Sequence, residues 1–266
     1  MFETIKNAFG TKEIRVKIWA TLLLLLVYRI GCFIPGLNVS IISDALKGSS
    51  ASSFLNVISA ITGGSLSQGT LFALGIIPFI NSFIIMQLLT LIIPKLEEMS
   101  KDGEEGRKKI TQITRYVAIV LAVVQAIGIA FLWKNYINPI YGMQKNWLAM
   151  IYVIVILVGG SVMVMWLGER ITEYGIGNGT SLIIFVGILS TAGTSLLNAF
   201  RTVPTDPNKL WNIFGFLILV LALFAFIVFM DGGERRITVQ YAKQVKGNKM
   251  YGGQTTFIPI RVNASG

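Results

Sequence analysis

Apolar runs of about twenty residues recur along the chain at 18–36, 71–94, 116–133, 148–167, 181–200 and 211–230. Each is long enough to cross a hydrocarbon core of ~30 Å as a helix. A helix is the one open-chain structure that satisfies its own backbone groups there. The first run is not followed by a small-residue cleavage site, and Arg29, Pro35 and Gly36 close it instead, so it is expected to be a span and not a cleaved leader. The pattern therefore predicts an all-α integral membrane protein with six spans.

Two segments depart from that pattern. The stretch 54–61 (FLNVISAI) is apolar but far too short to cross, follows KGSSASS and is followed by Thr62, Gly63 and Gly64. It fits a half-helix entering from the outer side, which must then be buried in protein or line a cavity. It fits equally an amphipathic helix lying on the outer leaflet. After Met230, Ile237, Val239 and Tyr241 alternate with Thr238 and Gln240. Lys246-Gly247-Asn248-Lys249 then supplies turn chemistry, and Phe257 to Val262 resumes an apolar, β-branched run. That is a basic hairpin, long for a passive connector and of a length that favours docking.

Composition narrows the chemistry. Of 266 residues, 53% are hydrophobic and 14% charged, against about 25% charged in a soluble domain. There is no histidine, which removes His-based acid–base catalysis, Ser-His and Cys-His nucleophiles and the commonest metal ligand; the single Cys32 can form no internal disulfide. No nucleotide-binding loop occurs, so no cofactor and no enzymatic activity are expected.

The net charge of +10 is informative through its placement. Lys6, Lys12, Arg15, Lys17, the six cations of 95–115, Arg170 and the six of 235–261 make seventeen on one face; Arg29, Lys47, Lys134, Lys145, Arg201 and Lys209 make six on the other. The positive-inside rule puts both termini in the cytoplasm.

Within the spans, charge is scarce. The last five contain no Asp, Glu, Lys or Arg, whereas coupled transporters place ionisable groups in the bilayer. Arg29 lies in the outer half of the first span, where it can snorkel to the interface or pair inside the bundle. In the second span, Pro78 is expected to kink the helix, with Ile76 and Ile80 four apart on one face. Such a pair serves either as ordinary packing or as part of a narrow apolar constriction that excludes ions by dewetting. Gln87 and Gln125, in the second and third spans, fit an interhelical hydrogen bond or a polar seam where helices part. The glycine-rich 175–179 stretch lacks the strand and spacing of a dinucleotide loop and reads as a tight turn starting the next helix.

Several runs together closely resemble the SecY family of protein-conducting channel subunits: YRIGCFIPG (28–36), GGSLSQGTLFALGIIPFINSFIIMQLL (63–89), DGEEGRKKITQITRY (102–116), WLGERITEYGIGNGTSLIIF (166–185), GERRITVQYAKQ (233–244) and PIRVN (259–263). The resemblance covers essentially the whole chain and implies a SecY-like bundle of ten spans in two inverted halves around an hourglass pore. It implies a half of five spans over 1–200, and over 201–266 the start of the second half, with a sixth span and a cytoplasmic hairpin-like loop at 231–266. The chain would then end where a seventh span begins, and is expected to be the N-terminal portion of such a channel, lacking four helices.

By the same resemblance, Ile76, Ile80 and Ile184 fall on the pore ring. The 54–66 segment falls on the re-entrant plug, with Ile58, Ile61, Thr62, Gly63 and Gly64 its contact and turn residues. Gln87 and Gln125 fall on one lip of the lateral gate, and Arg235, Arg236, Lys243 and Lys246 on the docking loop. The implied function is to pass unfolded secretory polypeptides across the membrane and to release apolar segments into lipid. The implied location is the bacterial plasma membrane, and the implied partners are SecE-like and SecG-like subunits, the SecA motor ATPase or the ribosome, signal peptides, nascent chains and the lipid bilayer. The alternative from another class is half of a small-molecule secondary transporter built on inverted repeats.

Overall fold

Where a polar flank is rich in good helix formers, the helix runs on past its apolar segment. The computed structural model, which describes residues 11–36, 52–132, 146–202, 208–240, 244–246, 249–251 and 255–261, shows this repeatedly. Its helices are α1 (Lys12–Gly31), α2 (Ser52–Ile61), α3 (Ile77–Ile92), α4 (Pro94–Lys101), α5 (Gly103–Leu132), α6 (Asn146–Tyr174), α7 (Gly179–Thr202) and α8 (Asn208–Asp231). The strands are β1 (Glu234–Gln240), β2 (Gln244–Lys246), β3 (Lys249–Tyr251) and β4 (Thr255–Arg261). The third expected span begins thirteen residues early, at Gly103, because EEGRKK propagates a helix as readily as the apolar residues after it.

Among the described residues, α5, α6, α7 and α8 are long and apolar enough to cross a membrane, and α3 with α4, bent by 102°, makes a fifth if the pair is one span. The first expected span is shifted: α1 starts at Lys12 and stops at Gly31, before Pro35, and carries Lys12, Arg15, Lys17 and Arg29. That charge keeps it out of the uniformly apolar set.

The second expected span requires a larger correction. Residues 71–76 are turns, the helix begins at Ile77, and Pro78 sits in its first turn, so it does not kink the helix. A first-turn residue has no intrahelical acceptor for its N–H, so proline costs nothing there and its fixed φ suits the start. Ile76 is the N-cap residue, and its carbonyl accepts from the N–H groups of Phe79 and Ile80, both at 3.1 Å. At the far end, Ile93 is extended between α3 and α4 (φ −96°, ψ 111°), the backbone preferred before a proline. On α4, the Lys101 ammonium lies 2.6 Å from Glu97 and holds that exposed carboxylate below its usual range.

The chain divides into two compact units, Met1–Ser195 and Leu196–Gly266. In the first, α3 packs on α5, α5 on α6 and α6 on α1. Ala118, Ala122, Ala126 and Ala130, spaced by four, are all buried, a small-residue stripe that lets backbones approach closely without a large hydrophobic driving force. One core cluster joins Leu66, Ala73 and Leu74 of the connecting turns to Ala126 and Ile129 of α5 and Val153 and Leu157 of α6, with Ile58 of α2 packed on it. The other joins Tyr28 and Cys32 to Phe72, Ile76, Val164, Leu167, Ile171 and Ile183. Outward faces carry exposed Leu, Ile, Phe and Trp, as lipid-facing helices do.

In the second unit, α8 is almost wholly exposed and leads into the strands. β1 and β4 pair antiparallel from Glu234↔Arg261 to Gln240↔Thr255, and β2 pairs with β3 through Lys246↔Lys249. This is a hairpin with an inner second ladder; Tyr241 lies outside the described residues.

Candidate functional site

Two cavities open on opposite ends of the first unit, and Ile80 lines both. The larger, about 1010 Å³, lies on the α4 side between α3, α5, α6 and the start of α7, and is lined among others by Phe79, Ile80, Phe83, Trp166, Ser181 and Ile184. Its mouth is charged but internally neutralised: the Arg115 guanidinium pairs with Glu169 at 2.5 Å, and Arg170 with Glu173 at 2.6 Å. Arg170 also stacks over Trp166 and Tyr174. The smaller, about 500 Å³, lies toward the opposite end of α5, where α2 covers it with Val57, Ile58 and Ile61 against Ile77, Ile80, Asn81, Gln125 and Ile129. Among the described residues, no charged side chain lines it.

Thus Ile80 lines both a wide polar-rimmed cavity and a smaller, mostly apolar one, and Ile184 lines the first. An apolar neck holds water poorly and makes ions shed hydration. Ile76 is placed differently: it is 3% exposed, packed among Phe72, Leu167 and Ile183, and lines neither cavity. Its position one turn before Ile80 is at the helix N-cap, where the chain is still turning inward.

The short apolar segment is a helix, α2, and its C-terminus is built by backbone chemistry. Gly63 (φ +69°) and Gly64 (φ +84°) adopt left-handed conformations that side chains disfavour. The Gly64 N–H donates to Ser59 O at 2.7 Å and the Gly63 N–H to Ala60 O at 3.4 Å, the paired bonds of a Schellman ending. The Thr62 hydroxyl donates to Ile58 O at 3.0 Å, so Thr62, Gly63 and Gly64 end the helix in a tight turn and the chain runs back to α3. Ile58 and Ile61 face the smaller cavity.

Gln87 and Gln125 are not brought together. The buried Ser82–Thr114 bond aligns α3 with the antiparallel α5. Gln87 lies five residues from it toward α4, and Gln125 eleven residues the other way, roughly 24 Å apart along the helix axes at 1.5 Å per residue. Gln125 lines the smaller cavity; Gln87 is exposed.

Arg235 and Arg236 are exposed on β1, and the Arg236 guanidinium lies 4.8 Å above the Phe257 ring of β4. Lys246 ends β2; Lys243 lies outside the described residues. Sequence reading passed over Asn81, although a polar residue directly after Ile80 in an apolar run is itself a signal. It also passed over the Arg115–Glu169 pair, whose partners are 54 residues apart and carry no local signature.

The SecY family model matches residues 70–266. The protein translocase subunit SecY of Staphylococcus epidermidis is 39% identical over 273 aligned residues, and that of Staphylococcus aureus 37%; each alignment covers all of this chain and 63% of the relative. The chain thus spans less than two thirds of the length of these curated relatives. A solved structure described as a protein conducting channel superposes with TM-score 0.56 at 24% identity, over 93% of this chain and 52% of that one. Sec61 from a canine ribosome–channel complex of the endoplasmic reticulum gives 0.54 at 24%, over 84% and 49%. These two share the fold, and with the family match over residues 70–266 the chain belongs to the SecY family.

Proposed function

We propose that this chain supplies the first five spans, the plug and the start of the second half of a protein-conducting channel. The observation that carries the reading is that Ile80 lines both the wide cavity and the smaller one that Val57, Ile58 and Ile61 of α2 cover, and we read it as the neck between them. In this reading an unfolded polypeptide enters the larger cavity from the cytoplasm, passes between Ile80 and Ile184, with Ile76 packed behind them, and displaces α2, the plug. The apolar ring closes around it, and apolar segments leave sideways past α3 and α5, near Gln87 and Gln125. The protein is no enzyme; work is supplied by a bound partner, SecA or the ribosome, at the β1–β4 hairpin, and SecE-like and SecG-like subunits complete the assembly. The membrane is the bacterial plasma membrane, with the α4 loop and the hairpin inside, the side that carries the cationic excess. The solute-carrier alternative is disfavoured, since among the described residues the carboxylates of the larger cavity, Glu169 and Glu173, are paired with Arg115 and Arg170, and the smaller cavity is lined without a carboxylate or a cation.

The test is a photo-crosslinker at Ile80 in a channel completed by the remaining length of a SecY relative. A stalled secretory chain should be captured there, and one lacking its signal should not. Capture of neither, with the channel assembled, overturns the assignment.

A further inference from the structure

Arg29 is a cation within the first apolar run, and half-buried charge in such a place needs partners. Its guanidinium donates to the Ser190 hydroxyl of α7 and lies 4.8 Å over the Phe33 ring. It also reaches the end of α2: a Cβ on Gly63 would stand 3.2 Å from Nη1 of Arg29. The same end of α2 is seated on α7. The Thr191 hydroxyl shares its proton between Ala60 O at 3.2 Å and Gly187 O of its own helix at 3.3 Å, and a Cβ on Gly187 would lie 2.5 Å from Ile61 O, so only glycine lets the two backbones meet. A helix C-terminus carries partial negative charge even where, as here, its last carbonyls are capped, and a nearby cation stabilises it.

We propose that Arg29 is a positioning residue that clasps the plug shut. Its bond to Ser190 and its stacking on Phe33 form a fixed half, joining α1 to α7. The C-terminal end of α2 forms the releasable half, held by the Arg29 charge and by the Thr191–Ala60 bond. When α2 leaves, Arg29 keeps Ser190 and Phe33, so the membrane cation is never stranded, and the polar part of the cost of opening is the dipole contact and one hydrogen bond, beside the apolar contacts of Val57, Ile58 and Ile61. This rests on the reading of α2 as the plug.

The test uses the completed channel in planar bilayers, with assembly checked by size exclusion. Arg29→Gln keeps a donor for Ser190 but removes the charge. It should raise the resting open fraction on the order of tenfold, as expected for losing a charge-assisted contact, and let chains with defective signals through; Arg29→Lys should restore most of the closure. Deleting 54–66 should raise conductance by itself, and Arg29→Gln should then add nothing. If Arg29→Gln leaves conductance unchanged while the deletion raises it, or if the two effects add, the clasp is wrong and the plug reading stands. If the deletion itself is silent, the plug reading has failed. Should Arg29→Gln not assemble, Ser190→Ala, which removes the partner that aims Arg29 at α2, and Thr191→Val carry the test: both must raise conductance, and unchanged conductance in either overturns the clasp.

Discussion

The Ser82 hydroxyl of α3 donates to the Thr114 carbonyl of α5 at 2.6 Å, with both residues buried. This bond fixes the register of two helices that line the two cavities. The Thr114 carbonyl accepts the Ser82 hydroxyl through its second lone pair, while the Thr114 hydroxyl donates to Ile110 O at 2.8 Å. Ser82→Ala is expected to lower stability by about 1 kcal/mol, the usual net worth of such a bond. Ser82→Val should cost more, because its branches must fit a fully buried site. Thermal unfolding in detergent reads both, and an unchanged Ser82→Val would show that the crossing is held by packing alone.

The neck is tested by polarity. Ile80→Asn and Ile184→Asn give water hydrogen-bonding partners where the native side chains offer none, so the closed channel should conduct ions more and discriminate signals less. The matching change at Ile76 should act mainly on stability, since that side chain is 3% exposed in the packed interior; burying an unpartnered amide there is expected to cost about 1–3 kcal/mol. Equal conductance changes at all three positions would place Ile76 in the neck as well.

Ser65 lies in the turns between α2 and α3, is 1% exposed, and is the buried hydroxyl that finds no partner among the described residues. Ser65→Ala removes an unsatisfied polar group without changing the backbone. It should raise stability by about 1 kcal/mol and make the closed state harder to open. A lower melting temperature for Ser65→Ala would mean that the hydroxyl is satisfied in the membrane.

Arg236 stacks on Phe257 while Arg235 extends on the opposite face of the hairpin, beside Ile260. Reversing both charges to Glu should weaken binding of SecA or the ribosome, most at low salt, where exposed charges are least screened. Arg236→Lys should weaken it partially, because lysine loses the planar stacking surface. Unchanged affinity of the double reversal at low salt would reduce the hairpin to a connector.

Orientation is tested in a Cys32→Ser background. A cysteine at Lys101 should be shielded from an impermeant thiol reagent added outside intact cells, and one at Arg201 should react. The inverse pattern would reverse the placement taken from the cationic excess.

The sequence by itself determined that this chain lives in a bilayer, which segments are apolar enough to cross it, and that 54–61 is too short to do so. It also identified the family, through long runs such as GGSLSQGTLFALGIIPFINSFIIMQLL. These properties are local: they depend on hydropathy summed over a window, or on the order of neighbouring residues.

Tertiary structure decided what depends on meetings between distant residues. Pro78 belongs to the first turn of α3, because residues 62–76 are taken up in the chain's return from α2. Ile76 and Ile80 share a helix face in the sequence, yet one is packed on Phe72 and Leu167 while the other lines both cavities. Gln87 and Gln125 lie far apart because α3 and α5 run antiparallel about the Ser82–Thr114 bond. Arg29 finds Ser190 across 161 residues. Periodicity assigns a residue to a face, but which face meets a neighbour is set by helix crossings, and those follow from close packing at small residues such as Ala126 and Gly187.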